Sequence, residues 1–241
     1  MNGSPKAVVL LSGGLDSCVA AALVKRAGFE LYCLSFDYAQ RNKKELDAAK
    51  IVACKLGAKE WICVNAGFIS MLSDKVSPLT NPDTDLPKDR TVEEIRSKTP
   101  ITYVPARNSV FLSIAASYAD AMEAKCVVYG AAKYSTYPDC QPNYVQLMSA
   151  ALTAGTKSNV FISAPVIVMD KGEIVRRGLD LSAPLAYTWS CYEDQPEPCG
   201  KCDSCVLRAE GFATNQIVDP LLERLSEEKE SEEEYKHANT D

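Results

Sequence analysis

Six consecutive residues, Ser12-Gly13-Gly14-Leu15-Asp16-Ser17, combine the groups that a polyanionic phosphate chain requires. Two small glycines free backbone N–H groups, two serines add hydroxyls, and the helical pattern beginning at Cys18 supplies the positive end of a helix. The loop is not of the Walker type, which ends Gly-Lys-Ser/Thr and puts a lysine on the outer phosphates. An aspartate, Asp16, stands in the corresponding region. A carboxylate among phosphates makes chemical sense with a metal ion between the negative charges, or when it is held away from them. The competing reading is a plain Gly-Gly turn joining strand to helix. The apolar run Ala7 to Leu11 before the loop and the helical pattern after it are the context that a phosphate loop needs.

A second constellation lies near the other end of the chain. Cys191, Cys199, Cys202 and Cys205 gather four thiols, the last three spaced C-x2-C-x2-C, with Gly200 permitting a tight turn. Four thiolates suit tetrahedral Zn²⁺, and a closed set of four is structural rather than catalytic. An iron–sulfur cluster uses the same donors and is the rival reading. Cys33, Cys54, Cys63 and Cys126 fall in apolar strand or helix patterns and are expected to be small core residues. Cys18, opening the helix after the loop, is expected to be packed or partly accessible, and Cys140 stands apart in a Pro-Asp-Cys loop.

These groups need a scaffold, and the periodicity describes one. Ala7 to Leu11, Leu31 to Phe36, Trp61 to Val64, Cys126 to Gly130 and Val160 to Ser163 are candidate strands. Val19 to Arg26, Lys43 to Leu56, Ser109 to Met122 and Tyr144 to Ala154 carry apolar residues at helical spacings between them. That alternation predicts a doubly wound parallel α/β sheet with ligands beyond the carboxyl ends of its strands. Between Ser73 and Pro105 the composition shifts to Pro, Asp, Thr and Lys, which predicts a long excursion with one short helix at Val92 to Arg96. No internal repeat is evident. After Val218 the chain turns strongly acidic, predicting a frayed helix or disordered tail. The expected division is a nucleotide-binding domain over 1–180, a four-cysteine subdomain over 181–218 and an acidic end over 219–241.

Composition narrows the class of function. At 241 residues, 46% hydrophobic and 24% charged, the chain can bury one substantial α/β core and a small appendage. A formal net charge of −6 gives no electrostatic reason for tight nucleic-acid binding, so small-molecule substrates fit better. No apolar stretch approaches the roughly 20 residues of a membrane span, and Met1 to Lys6 lacks the apolar core of a signal peptide. A cytoplasmic chain follows, in which ten cysteines are not a disulfide framework.

The phosphate loop resembles the pyrophosphate-gripping loop of ATP pyrophosphatases, which cleave ATP between the α and β phosphates. Further segments sharpen the resemblance: Ser35-Phe36-Asp37-Tyr38, Gln40-Arg41, Val104-Pro105-Ala106-Arg107-Asn108, Tyr137-Pro138-Asp139-Cys140, Asp170-Lys171, Ser190-Cys191-Tyr192 and Cys199-Gly200-Lys201-Cys202. Together and in this order they are similar to the 7-cyano-7-deazaguanine synthases of the queuosine precursor pathway, over nearly the whole chain. That resemblance implies an ATP-dependent ligase with Mg²⁺ and structural Zn²⁺, in which 7-carboxy-7-deazaguanine is adenylated and ammonia displaces AMP. A second ATP then drives dehydration of the amide to the nitrile. It also implies residue roles: Leu11 to Ser17, Phe36 and Arg107 on the nucleotide; Asp16, Ser17, Arg107 and Lys171 in catalysis; Asp37, Tyr38, Gln40, Arg41, Asn108, Tyr134, Tyr137 and Asp139 on the substrate; and Cys191, Cys199, Cys202 and Cys205 on the metal. A homodimer is implied as well. For Arg107 and Lys171 the bland alternative is a surface charge or salt bridge.

The chain departs from the family pattern at its substrate loop. Members carry Asp-Tyr-Ser-Gly-Tyr-Pro-Asp-Cys-Arg-Pro-Glu where this chain has Lys133, Thr136, Gln141 and Asn143 at the altered positions, and Gly-Gln-Arg-His where it has Ala39-Gln40-Arg41-Asn42. The single histidine, His237, lies in the acidic end, so proton removal from the amine falls to Asp37, Asp139, phosphate or water. Three readings follow. One is an ordinary synthase, with Asp139 accepting from the base and Tyr134, Tyr137 or Phe36 stacking on it. The second is a conjugating enzyme that joins the deazaguanine to a protein amine, as in divergent members associated with bacterial defence, with the excursion as docking surface. The third is a non-catalytic nucleotide-binding module, against which the retention of Asp16, Ser17, Arg107 and Lys171 argues.

Overall fold

The computed structural model describes residues 3–73 and 76–238. Five strands, β1 (Lys6–Leu10), β2 (Glu30–Asp37), β3 (Glu60–Asn65), β4 (Cys126–Val128) and β5 (Phe161–Ser163), form one sheet in the order β3-β2-β1-β4-β5. Every pairing is parallel, with Val9 opposite both Cys33 and Val128 at the centre. The helices are α1 (Leu15–Arg26), α2 (Lys44–Lys55), α3 (Phe68–Ser73), α4 (Val92–Arg96), α5 (Arg107–Ala121), α6 (Pro142–Gly155), α7 (Lys171–Asp180), α8 (Asp203–Thr214) and α9 (Pro220–Ala238).

The period-2 alternation of β1 divides the core. Ala7 and Val9 point into one apolar layer with side chains of α1, α2 and α7, while Val8 and Leu10 point into the other with α5. Both faces are covered, which is why the central strands are continuous apolar runs rather than alternating ones. The strand order reverses at β1, whose neighbours β2 and β4 connect outward in opposite directions. A crevice opens beyond the carboxyl ends of β1 and β4, where such a sheet binds ligands.

All five predicted strands and the doubly wound class agree with the structure, as does the short helix Val92–Arg96. Three expectations need correction. α1 begins at Leu15 rather than Cys18: the Cys18 N–H reaches the Gly14 carbonyl at 3.1 Å, so Leu15, Asp16 and Ser17 form the first helical turn. α3, α7 and α8 were not foreseen, although Asp170 and Glu173 write a capping box at the start of α7. Cys54 and Cys63 are exposed, one on the outer side of α2 and one on the edge strand β3, whereas Cys18, Cys33 and Cys126 are buried. Of the two forms expected for the acidic end the structure shows the helix, its base anchored by buried Leu221 and by Asp219 on the Arg208 guanidinium. The side chain of His237 lies outside the described residues.

Between Pro82 and Thr99 the excursion is strapped down repeatedly. Arg41 donates to the Pro82 and Thr84 carbonyls at 2.8 and 3.1 Å, and Lys88 forms an antiparallel bridge with Cys202. Arg90 pairs with Asp203, and Arg96 with Glu210 at 2.7 Å. Thr99 donates to the Thr136 carbonyl at 3.0 Å and Thr136 to that of Lys98 at 3.1 Å. The composition of a mobile loop therefore hides a segment fixed by side chains distant in sequence.

Candidate active site

The phosphate loop is held from three sides. Gly13 has φ of +86°, and a Cβ there would lie 2.1 Å from the Glu45 carbonyl oxygen, so the backbone can approach α2 only as glycine. Ser17 Oγ donates to the Gly14 carbonyl at 3.1 Å and lies 3.0 Å from Ser12 Oγ. The Trp189 N–H donates to the Gly13 carbonyl at 2.8 Å, tying the loop to the segment that leads into the cysteine cluster. From the far side, the end of β4 passes so close that a Cβ on Gly130 would meet Ser17 N at 2.6 Å. Gly14 caps α1 without any side-chain hydrogen bond, which leaves the donors of the first turn facing the crevice.

Lys171, the first residue of α7 and 7% exposed, places Nζ 2.7 Å from Asp16 Oδ1. Tyr134 donates its hydroxyl to Asp16 Oδ2, and Lys171 Nζ sits 4.4 Å from the centre of its ring. Burial, and then the Asp16 carboxylate, push the Tyr134 phenol well above its ordinary range, so it remains a donor. Asp16 is thus neutralised by a buried ammonium at the mouth of a helix N-terminus.

The opposite end of the cavity is aromatic. Phe36 stacks on Phe111 with ring centres 4.0 Å apart and planes 7° from parallel. Arg107 opens α5 after Ala106, donates to the Tyr38 hydroxyl at 2.8 Å and lies 5.3 Å from the centre of its ring. Burial opposes the Arg107 charge, but Tyr38, Tyr137, Glu45 and Asp139 outweigh it and hold the guanidinium protonated. Tyr137 shares a hydrogen bond of 2.8 Å with Thr102 of the excursion. Gln40 accepts from the Tyr38 N–H at 2.9 Å and donates to Glu45 Oε1 at 2.8 Å.

One cavity of about 310 Å³ joins the two ends. Leu11, Ser12, Gly14, Leu15, Asp16, Ser17, Phe36, Tyr38, Gln40, Arg41, Arg107, Asn108, Tyr134, Tyr137 and Lys171 all line it. Gly13, Asp37 and Asp139 do not line it. Gly13 turns the loop from behind. Asp37 pairs with Lys43 on the surface, and that hydrogen bond holds its carboxyl below the usual range. Asp139 is buried and accepts the Asn108 N–H at 3.0 Å, capping α5. The lining also includes Tyr192 of the Ser190-Cys191-Tyr192 segment, and Glu45, Trp189 and Asp203, which no local pattern in the sequence marks. Burial raises the Glu45 carboxyl to about 7.

Two of the unusual residues have structural employment. Asn42 is buried, donating to the Cys191 carbonyl at 2.6 Å and accepting the Lys44 N–H at 2.9 Å. Gln141 donates to the carbonyls of Ser135 and Tyr137 at 2.8 and 3.0 Å, fixing the loop that carries Tyr134 and Tyr137.

The four cluster sulfurs, from Cys191, Cys199, Cys202 and Cys205, lie within 4.8 Å of one another. Tetrahedral zinc with Zn–S bonds of about 2.3 Å needs sulfurs roughly 3.8 Å apart, so the donor set fits such an ion with small adjustment. N–H groups of Glu193 and Cys199 point at Cys191 Sγ, at 3.4 and 3.3 Å, and that of Cys202 points at Cys199 Sγ at 3.3 Å, as thiolate sulfur requires. Asp203, next to Cys202, lines the cavity, so the cluster buttresses the cavity wall.

Residues 6–216 match the family described as queuosine biosynthesis protein QueC. A 7-cyano-7-deazaguanine synthase of Desulfatibacillum aliphaticivorans is 45% identical over 225 residues, covering 89% of this chain and 95% of that protein. The enzyme of that name from Trichodesmium erythraeum is 45% identical, covering 90% of this chain and 100% of the relative. One from the archaeon Thermoplasma acidophilum is 42% identical, over 90% and 91%.

Proposed function

The chain belongs to the queuosine biosynthesis protein QueC family, and from that premise we propose that it converts 7-carboxy-7-deazaguanine to 7-cyano-7-deazaguanine, as an ATP-dependent carbon–nitrogen ligase releasing AMP and pyrophosphate. The observation that carries the proposal is the Lys171–Asp16 pair at the N-terminus of α1, at one end of a cavity whose other end is aromatic.

A carboxylate is a poor electrophile because substitution would expel oxide. Its attack on the α-phosphorus forms a carboxyl–phosphorus bond and breaks the bond to the bridging oxygen, which leaves with pyrophosphate. The first-turn N–H groups of α1, the Ser12 and Ser17 hydroxyls and Lys171 meet the negative charge that develops there. Asp16 would hold Mg²⁺, which when bound offsets charge between the phosphates. With a metal held by Asp16, Lys171 would be free to face phosphate oxygen. At the other end, Arg107 and Asn108 face the nucleotide and substrate, while Tyr137, Tyr38 and Phe36 offer ring faces to a flat base. The acyl carbon of the adenylate then accepts ammonia, and AMP leaves. Repetition of the activation at the amide oxygen gives the nitrile.

The strapped excursion supports ammonia over a protein amine as the acceptor, since a protein side chain needs an open way into the cavity. A structural Zn²⁺ at the four cysteines, a homodimer, a cytoplasmic location and the three-part division at 180 and 218 belong to the same proposal. Among the described residues no helix is long and apolar enough to cross a membrane. Mass spectrometry of the protein incubated with ATP, Mg²⁺ and 7-carboxy-7-deazaguanine tests the activity. Nitrile formed only when ammonium is added is the expected result; adenylate or AMP without amide or nitrile would refute ammonia as the acceptor.

A further inference from the structure

Three carboxylates line the cavity, and their partners differ. Asp16 is paired with Lys171 and Asp203 with Arg90. Glu45 forms no ion pair among the described residues. Its Oε1 accepts from Gln40 Nε2 at 2.8 Å, and Gln40 is itself locked, accepting from the Tyr38 N–H at 2.9 Å and donating to the Phe36 carbonyl at 3.2 Å. Oε2 takes no hydrogen bond from the described residues. One oxygen is therefore oriented by a fixed amide while the other is open.

The position is as telling as the lack of an ion-pair partner among the described residues. Glu45 lies in the first turn of α2, and its carbonyl is the atom against which Gly13 of the phosphate loop packs. The charged and titratable groups that face it are Arg107 of α5, Lys43 just before α2 and Tyr38 after β2. Lys43 is engaged with Asp37 and Arg107 with Tyr38. Burial is the largest influence on Glu45 and raises its carboxyl to about 7, against the lowering effect of Arg107, Gln40 and Lys43. The other unused acid on the wall, Cys140, is pushed by burial to about 12 and stays a thiol at neutral pH.

We infer that Glu45 is the proton acceptor for the amine nucleophile, a role resting on the ligase reading above. At neutral pH the nucleophile arrives mostly as ammonium, which has no free electron pair. Ammonium gives one proton to the open oxygen of Glu45. The freed pair forms the C–N bond at the acyl carbon, the C–O bond to AMP breaks, and AMP leaves with that bonding pair. The surplus proton on nitrogen passes to the departing phosphate oxygen. Asp37 and Asp139, the carboxylates to which sequence assigned proton removal, lie off the cavity wall and do not serve this step.

Glu45→Gln keeps the size and the polar contact with Gln40 but cannot accept the proton. Three rates on wild type and variant at pH 7 test the role: carboxylate-dependent ATP–pyrophosphate exchange, amide formation from ammonium, and hydroxamate formation from hydroxylamine, which is uncharged at that pH. The variant is expected to keep exchange and hydroxamate formation within a few-fold while losing amide formation by about 100-fold or more. Equal loss with both nucleophiles, loss of exchange, or an unchanged amide rate would each overturn the assignment. Absence of exchange in the wild type would instead refute the ligase reading itself.

Discussion

The two ends of the cavity are built by different means. The phosphate end comes mainly from six consecutive residues, its donors are largely backbone N–H groups joined by two serine hydroxyls and Lys171, and two glycine contacts fix its shape. The base end is assembled from side chains of β2, the excursion, α5 and the loop before α6, none adjacent in sequence. Backbone donors cannot be exchanged by mutation, whereas a side-chain wall can be altered one residue at a time. Asn42 and Thr136 line the cavity, and Gln141 braces the loop that carries Tyr134 and Tyr137.

Breaking the cysteine cluster should have the largest effect, because the cluster segment touches both ends. Trp189 holds Gly13, and Asp203 holds Arg90 of the excursion. Cys199→Ser is expected to lower bound zinc and the melting temperature sharply, and to change ATP affinity less in the fraction that stays folded. Iron and sulfide found by elemental analysis would contradict the zinc assignment, and unchanged stability would detach the cluster from both ends.

Next in size is Asp16→Ala, which acts on the phosphate end alone. Pyrophosphate release should fall by about 100- to 1,000-fold, with the Michaelis constant for the deazaguanine changed much less. Retained turnover would remove Asp16 from the mechanism, and an equal rise in that Michaelis constant would show that the two ends are not separable.

Thr102→Val probes the base end with a smaller change. It deprives the Tyr137 hydroxyl of its 2.8 Å partner, at a cost of about 1 kcal/mol, so the Michaelis constant for the base should rise about fivefold while exchange at saturating base is unaltered. A change confined to ATP binding would reverse the assignment of the ends.

The smallest effect is a pH-dependent one. The folded Glu45 carboxyl titrates near 7, above its unfolded value, so its protonated form favours the fold. Stability associated with it is fully present below the unfolded pKa and declines as pH rises through about 7. Glu45→Gln, which removes this burden, should melt a few degrees above wild type at pH 8 and with little difference at pH 4. The reverse order would mean that Glu45 is better solvated than its place in the wall implies.

The same division explains what the sequence disclosed. All five strands, the loop at the end of β1 and the four-cysteine spacing were readable, because each is a local pattern of apolar period, glycine placement or ligand interval. Lys171 entered only through resemblance, since a lysine at the head of a helix carries no mark of an aspartate 155 residues earlier. Glu45 gave no signal at all: a glutamate in the first turn of a helix is ordinary, and what distinguishes it is that no described residue forms an ion pair with it, a property of three-dimensional neighbours. The strapping of the excursion was not legible because its anchors, Asp203, Glu210 and Thr136, lie far along the chain. Asp37 and Asp139 were expected to serve the substrate by their place in shared motifs, yet one faces solvent and the other caps a helix.

The central claim is that the loop end of the cavity transfers AMP, rather than a terminal phosphate, to the substrate carboxylate. Oxygen-18 in both carboxylate oxygens of 7-carboxy-7-deazaguanine, followed through a complete reaction with ATP, Mg²⁺ and ammonium, reports the bond made. The account predicts that the label emerges in AMP, one atom from each activation, with pyrophosphate unlabelled. Label in inorganic phosphate accompanied by ADP would mean attack at the γ-phosphorus and would contradict it.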